Sequence, residues 1–70
     1  MSIGIITIGD EILSGYTVNT NASWIGKELT NIGYSINNQI TTRDNYHSIL
    51  NALNNLSKKE IKYIIITGGL

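Results

Sequence analysis

Three observations predict an α/β fold in which a parallel sheet alternates strand, helix, strand, helix, strand. Two isoleucine-rich runs, Ile3 to Ile8 and Ile61 to Thr67, are apolar on both faces, as buried parallel strands are. Between them lie segments whose apolar residues recur at spacings of three and four, the mark of helices resting on a core. Each isoleucine run empties into a glycine-containing polar loop, Gly9-Asp10-Glu11 in one case and Gly68-Gly69 in the other.

The first strand, Ile3 to Ile8, is read as a central one. After Gly15, the segment Tyr16-Thr17-Val18 is a loop or a brief extended piece. A helix begins near Asn19 to Asn21, where Asn or Thr caps the free amides of the first turn. Ala22, Ile25, Leu29 and Ile32 give it one apolar stripe, and Gly33 ends it. Gly26 inside it costs about 1 kcal/mol relative to Ala.

The second strand has period two: Tyr34, Ile36, Ile40 and Thr42 alternate with Ser35, Asn37, Gln39, Thr41 and Arg43. One buried and one wet face suit an edge strand. Asp44-Asn45 is read as the cap of a second helix with Ile49, Leu50, Leu53 and Leu56 on its core face. Lys58 and Lys59 stand at its carboxyl end, where the helix dipole favours cations.

Right-handed crossovers with the wet strand outermost give the order 2-1-3 and put the two helices on opposite faces of the sheet. The chain changes direction between the first and third strands, and ligands of open α/β sheets bind at such a point, beyond the carboxyl ends of the strands.

The chain has 70 residues, five basic and five acidic, and no cysteine. Neither a disulfide nor a thiolate metal site is available. Charge balance without a basic cluster argues against a dedicated nucleic-acid surface. No run approaches the roughly 20 apolar residues of a membrane span. Met1-Ser2 leads into a strand with no signal pattern, which predicts a cytoplasmic protein. An apolar third strand at an edge, followed by no helix, predicts that residues 1–70 are the N-terminal portion of one larger domain, cut after the third strand. Trp24 and that unpaired strand predict self-association into a homo-oligomer.

Several polar residues carry two readings each. Gly68-Gly69 either exposes backbone amides to an anion or makes a tight turn. Asp10 and Glu11, on extended backbone, point apart; each is a ligand or a local turn-former and solvated charge. Acids beside a phosphate need a divalent cation, and Mg²⁺ is the natural one. Asp44 is a helix cap that also stands on the carboxyl edge. Asn19 and Asn21 are caps, with Asn21 also placed to orient the Gly9-Glu11 loop or meet a ligand hydroxyl. Tyr16 is the better stacking candidate, ahead of Trp24. His47 has no second His and no Cys to share a metal, and Ser14 has no tie to it.

In order along the chain, Gly9-Asp10-Glu11-Ile12-Leu13-x-Gly15-x3-Asn19-x-Asn21, Gly33, Asp44 and Thr67-Gly68-Gly69-Leu70 resemble the molybdopterin-binding (MoaB/MogA-like) domain family. The resemblance is greatest to its version in the N-terminal part of CinA-like competence/damage-inducible proteins, and it covers essentially the whole chain. It implies a three-layer α/β/α domain that binds a phosphorylated pterin or nucleotide at the carboxyl edge. Asp44 and the Thr67-Gly68-Gly69 loop are implied as part of the pocket, with Gly9 to Glu11 beside it. CinA-like relatives are associated with metal-dependent cleavage of ADP-ribose-type pyrophosphates, which implies Asp10, Glu11 and Asp44 as catalytic acids, Asp10 and Asp44 as Mg²⁺ ligands, and Gly9, Asn21, Thr67, Gly68 and Gly69 as binding residues. Molybdopterin binding or adenylyl transfer is the alternative within the fold, and a non-catalytic binding or oligomerisation module is the alternative outside it. The family continues with Gly-Pro-Thr and an Asp-Asp pair, and many CinA-like relatives carry a separate C-terminal domain that deamidates nicotinamide mononucleotide; residues 1–70 have neither.

Overall fold

The computed structural model describes residues 2–69. Met1 and Leu70, the latter closing the Thr67-Gly68-Gly69-Leu70 motif, lie outside them. Strands β1 (Ser2–Ile8), β2 (Ser35–Thr42) and β3 (Tyr63–Gly68) form a parallel sheet in the order β2-β1-β3. The expected fold class and strand order are both present.

β1 is buried from Ile3 onward because a neighbour flanks it on each side and a helix covers each face. On one face Ile6 and Ile8 pack with Ala52 and Leu56 of α3 (Tyr46–Lys58). On the other, Thr7 meets Asn19, the N-cap of α2 (Thr20–Asn31). Gly4 lies on the α3 side, where a β-carbon would stand 2.9 Å from Leu56 Cδ1. The missing side chain leaves room for Leu56, whose full burial stabilises the fold by about 2 kcal/mol.

β2 departs from strict alternation. Its register with β1 runs Ser2↔Ser35 and Ile3↔Ile36, then skips to Gly4↔Asn38. Asn37 is thus an extra residue, a bulge that shifts every later side chain to the other face. Ile36 consequently lies against Gly26 of α2, whereas Ile40 joins the α3 cluster. The single buried face expected for Ile36 and Ile40 is therefore corrected. The Asn37 side chain helps hold the bulge: its Oδ1 accepts a hydrogen bond from the Ile3 amide (3.3 Å).

α2 ends in a Schellman motif, with Gly33 N–H donating to the Thr30 carbonyl (3.1 Å) and Tyr34 N–H to that of Leu29 (3.0 Å). Gly33 supplies the left-handed φ of 97° this closure needs. Ile32, counted in the apolar stripe, is the helix's last half-turn and stands exposed. Leu50 is likewise more exposed than expected of a core position on α3; Ala52 and Leu56 are the buried ones.

β3 starts at Tyr63, two residues later than the isoleucine run. Ile61 packs against the core from the preceding turn, where Glu60 takes a left-handed φ of 59°. Among the described residues β3 has one strand neighbour, and Ile64 and Ile65 are half-buried while Ile66 is exposed. The expectation of a strand buried on both faces does not hold for this element.

Candidate functional site

Parallel register brings the three strand ends to one rim: Ile8 pairs with Thr42 on one side and with Gly68 on the other. Just past it, the Gly9 amide donates to the Thr42 carbonyl (3.0 Å), extending the β1–β2 join by one residue.

The backbone at Asp10 and Glu11 is not extended. Asp10–Leu13 form a single helical turn, α1, closed by Leu13 N–H to the Gly9 carbonyl and Ser14 N–H to that of Asp10 (both 3.0 Å). Neighbouring residues on a helix still diverge by about 100°. Asp10 accordingly turns toward β2, where its Oδ1 accepts from the Asp44 amide (3.3 Å). Glu11 folds back, one carboxylate oxygen lying 2.8 Å from where a β-carbon on Gly9 would sit.

Asp44 does not cap α3. Asn45 does, its Oδ1 accepting from Ser48 N–H (2.9 Å) with extended φ and ψ at the cap. Asp44 is exposed on the rim, its backbone amide against Asp10, and is free of the capping role assigned to it from sequence.

On the β3 side two asparagines at the start of α2 reach two threonines that are partners in the sheet. Asn19 Nδ2 donates to Thr7 Oγ1 (3.1 Å) while its Oδ1 caps the helix through Ala22 N–H (3.3 Å). Asn21 Nδ2 donates to Thr67 Oγ1 (3.4 Å), and Thr7 pairs with Thr67. Asn21 thus hydrogen-bonds toward β3 and, among the described residues, makes no hydrogen bond to the Gly9-Glu11 loop. Gly68, at φ 94°, passes so close to the Ile8 carbonyl that a β-carbon would collide with it.

The sequence-predicted residues therefore fall into two groups on either side of the β1 end. Asp10, Glu11 and Asp44 stand toward β2; Asn21, Thr67, Gly68 and Gly69 stand toward β3. An open cleft of about 450 Å³ adjoins the first group, lined by Asp10, Glu11, Leu13, Ser14, Tyr16 and Arg43. Arg43 falls on the wet face of the second strand in the alternating pattern, and no motif marks it; its one signal in the sequence is adjacency to Asp44.

Among the described residues no group of three His, Cys, Asp or Glu is arranged to hold a metal ion. Asp10 and Asp44 each carry hard oxygen donors, on residues joined through the Asp44 backbone amide, and Mg²⁺ typically takes one or two carboxylates with the rest from substrate phosphate and water. The donor set suits a Mg²⁺ that arrives with its phosphate. His47 is exposed and meets Tyr46 edge-on at 5.4 Å between ring centroids.

The sequence profile described as a probable molybdopterin-binding domain matches residues 4–70. The chain belongs to this family. The chain is also similar to the crystal structure of CinA, of unknown function, from Thermoplasma acidophilum: 36% identity, TM-score 0.88, covering 99% of this chain and 40% of that one. A protein of Sulfurisphaera tokodaii is 44% identical over 66 residues, which are 94% of this chain and 25% of that protein. One from Saccharolobus islandicus is 42% identical over the same shares. The chain thus spans about a quarter of the length of the curated relatives it matches. The resemblance carried by Gly9 to Asn21 and by the Thr67-Gly68-Gly69 loop is upheld. Among the described residues no helix of this domain is long and apolar enough to cross a membrane.

Proposed function

We propose that the rim binds a phosphorylated nucleotide or pterin, and that it serves the Mg²⁺-dependent hydrolysis of an ADP-ribose-type pyrophosphate. The observation carrying this reading is the contact of Asp10 Oδ1 with the Asp44 amide, which sets two carboxylate residues together at the strand ends that also present Gly68 and Gly69.

Asp10 and Asp44 hold Mg²⁺ in this reading, and Glu11 holds the attacking water. Mg²⁺, when bound, acts as a Lewis acid on the phosphoryl oxygens and brings water nearer to deprotonation at neutral pH. Gly68 and Gly69, both at left-handed φ, offer backbone amides to phosphate oxygens in this reading. Asn21 keeps that loop in place through Thr67. Water adds to one phosphorus as the bridging oxygen leaves, and ADP-ribose gives AMP and ribose 5-phosphate.

The family's own description favours a second reading, binding of molybdopterin or its adenylylation. Incubation with ADP-ribose, and separately with molybdopterin and ATP, each with and without Mg²⁺, separates the two. AMP released from ADP-ribose only with Mg²⁺ supports the first, and adenylylated pterin supports the second. Neither product, with no binding of either ligand, defeats both and leaves a non-catalytic module.

A further inference from the structure

The cleft beside α1 holds two residues to which the proposed hydrolysis gives no role. Tyr16 is 91% exposed although it lines the cleft, which leaves a large ring face without a protein neighbour of its own. Arg43 is the sole cationic residue of the lining, against Asp10 and Glu11. Its backbone carbonyl lies 3.5 Å from Thr42 Oγ1. The remaining lining, Leu13 and Ser14, is uncharged.

We propose that this cleft is the subsite for a planar bicyclic heterocycle, stacked on Tyr16, whose anionic substituent is held by Arg43. The inference rests on the reading of the rim as a nucleotide or pterin site and names the residues that select the ring. Any aromatic base offers a face to a tyrosine, and such stacking tolerates different rings. A guanidinium matches phosphate oxygens in a two-point fashion that a lysine does not reproduce. Two carboxylates alone would repel a phosphate from this cleft. Arg43 offsets one of those charges and supplies the cationic contact for the phosphate of a nucleotide monophosphate or a pterin phosphate.

The volume is consistent with one such ring and its substituent, since ligand pockets run from about 300 to 1,000 Å³. The position is consistent as well. Asp10 belongs both to the cleft lining and to the pair with Asp44, so a ligand seated here extends its phosphate toward the rim.

Equilibrium titration of the full chain with AMP, adenosine, ribose 5-phosphate and a pterin phosphate tests this, with circular dichroism confirming the fold of each variant. Tyr16→Ala is expected to weaken AMP and adenosine alike by about tenfold or more and to leave ribose 5-phosphate unchanged, whereas Tyr16→Phe retains binding. Arg43→Gln is expected to weaken AMP by about tenfold and leave adenosine unchanged. The ratio of AMP to pterin phosphate affinity identifies the ring. Unchanged AMP affinity in Tyr16→Ala overturns the subsite, as does equal loss of AMP and adenosine in Arg43→Gln. If AMP binding survives both changes yet is lost in Gly68 or Asp44 variants, the rim stands and the subsite falls. If the wild-type chain binds none of the four, both readings fall.

Discussion

The carboxylate of Asp10 accepts the amide of Asp44 at 3.3 Å, across 34 residues of sequence. This contact joins the turn that follows the central strand to the turn that follows its edge neighbour. It makes the two acids neighbours because Asp10 rotates toward β2 on its helical turn, while Asn45 and not Asp44 caps α3.

Asp10→Ala removes this acceptor and is expected to lower stability by about 1 kcal/mol, the ordinary net worth of one hydrogen bond at an exposed site. Asp10→Asn keeps a side-chain oxygen at the same position and is expected to unfold within a few tenths of a kcal/mol of wild type while losing any dependence of ligand binding on Mg²⁺. Urea denaturation of the two variants, with hydrogen exchange at the Asp44 amide, separates the structural part of the residue from the chemical one.

Gly68→Ala sets a β-carbon against the Ile8 carbonyl and imposes a left-handed φ on a residue that resists it. Backbone strain of this kind costs about 1–3 kcal/mol before the collision is added. A large fall in melting temperature is expected. Gly69→Ala carries the same left-handed strain at φ 80°, but its β-carbon would meet only the Ile8 side chain, no nearer than 3.4 Å, and it is expected to fall less. Equal effects would contradict the tight approach of β3 to β1.

Asn19→Ala takes away a helix cap and the partner of a threonine that is 1% exposed. The cap is worth about 1 kcal/mol and the stranded hydroxyl about another. Asn21→Ala, whose partner Thr67 is half-buried, is expected to cost less than half as much. Thermal denaturation of both variants checks the order.

Gly26→Ala is expected to stabilise the fold by up to about 1 kcal/mol, through helix propensity and the unfolded chain. A β-carbon there would meet Ile36 Cγ1 at 3.8 Å, an ordinary contact, so no clash offsets the gain. A raised denaturation midpoint is the expected reading, and a lowered one would show that α2 lies closer to β2 than described.

The strand order was legible because two isoleucine runs and one alternating strand admit few right-handed arrangements. The face of each β2 side chain was not. Asn37 looks like any other polar residue of an alternating strand, and only pairing with Ile3 shows it to be a bulge. The acids were visible as a group through their place after strands. Their orientation depended on whether Asp10 to Leu13 would close a helical turn, and four residues hold too little pattern to decide that. Arg43 was hidden by the same limit, because its role depends on the cleft that α1 creates.

The central claim is that the ends of β1, β2 and β3 make one ligand-binding rim. Amide chemical-shift mapping of the chain titrated with ADP-ribose and Mg²⁺ tests it most directly. The account predicts shifts gathered at Gly9 to Glu11, Asp44, Gly68 and Gly69. Shifts confined to the opposite end of the sheet, or none at saturating ligand, would contradict it.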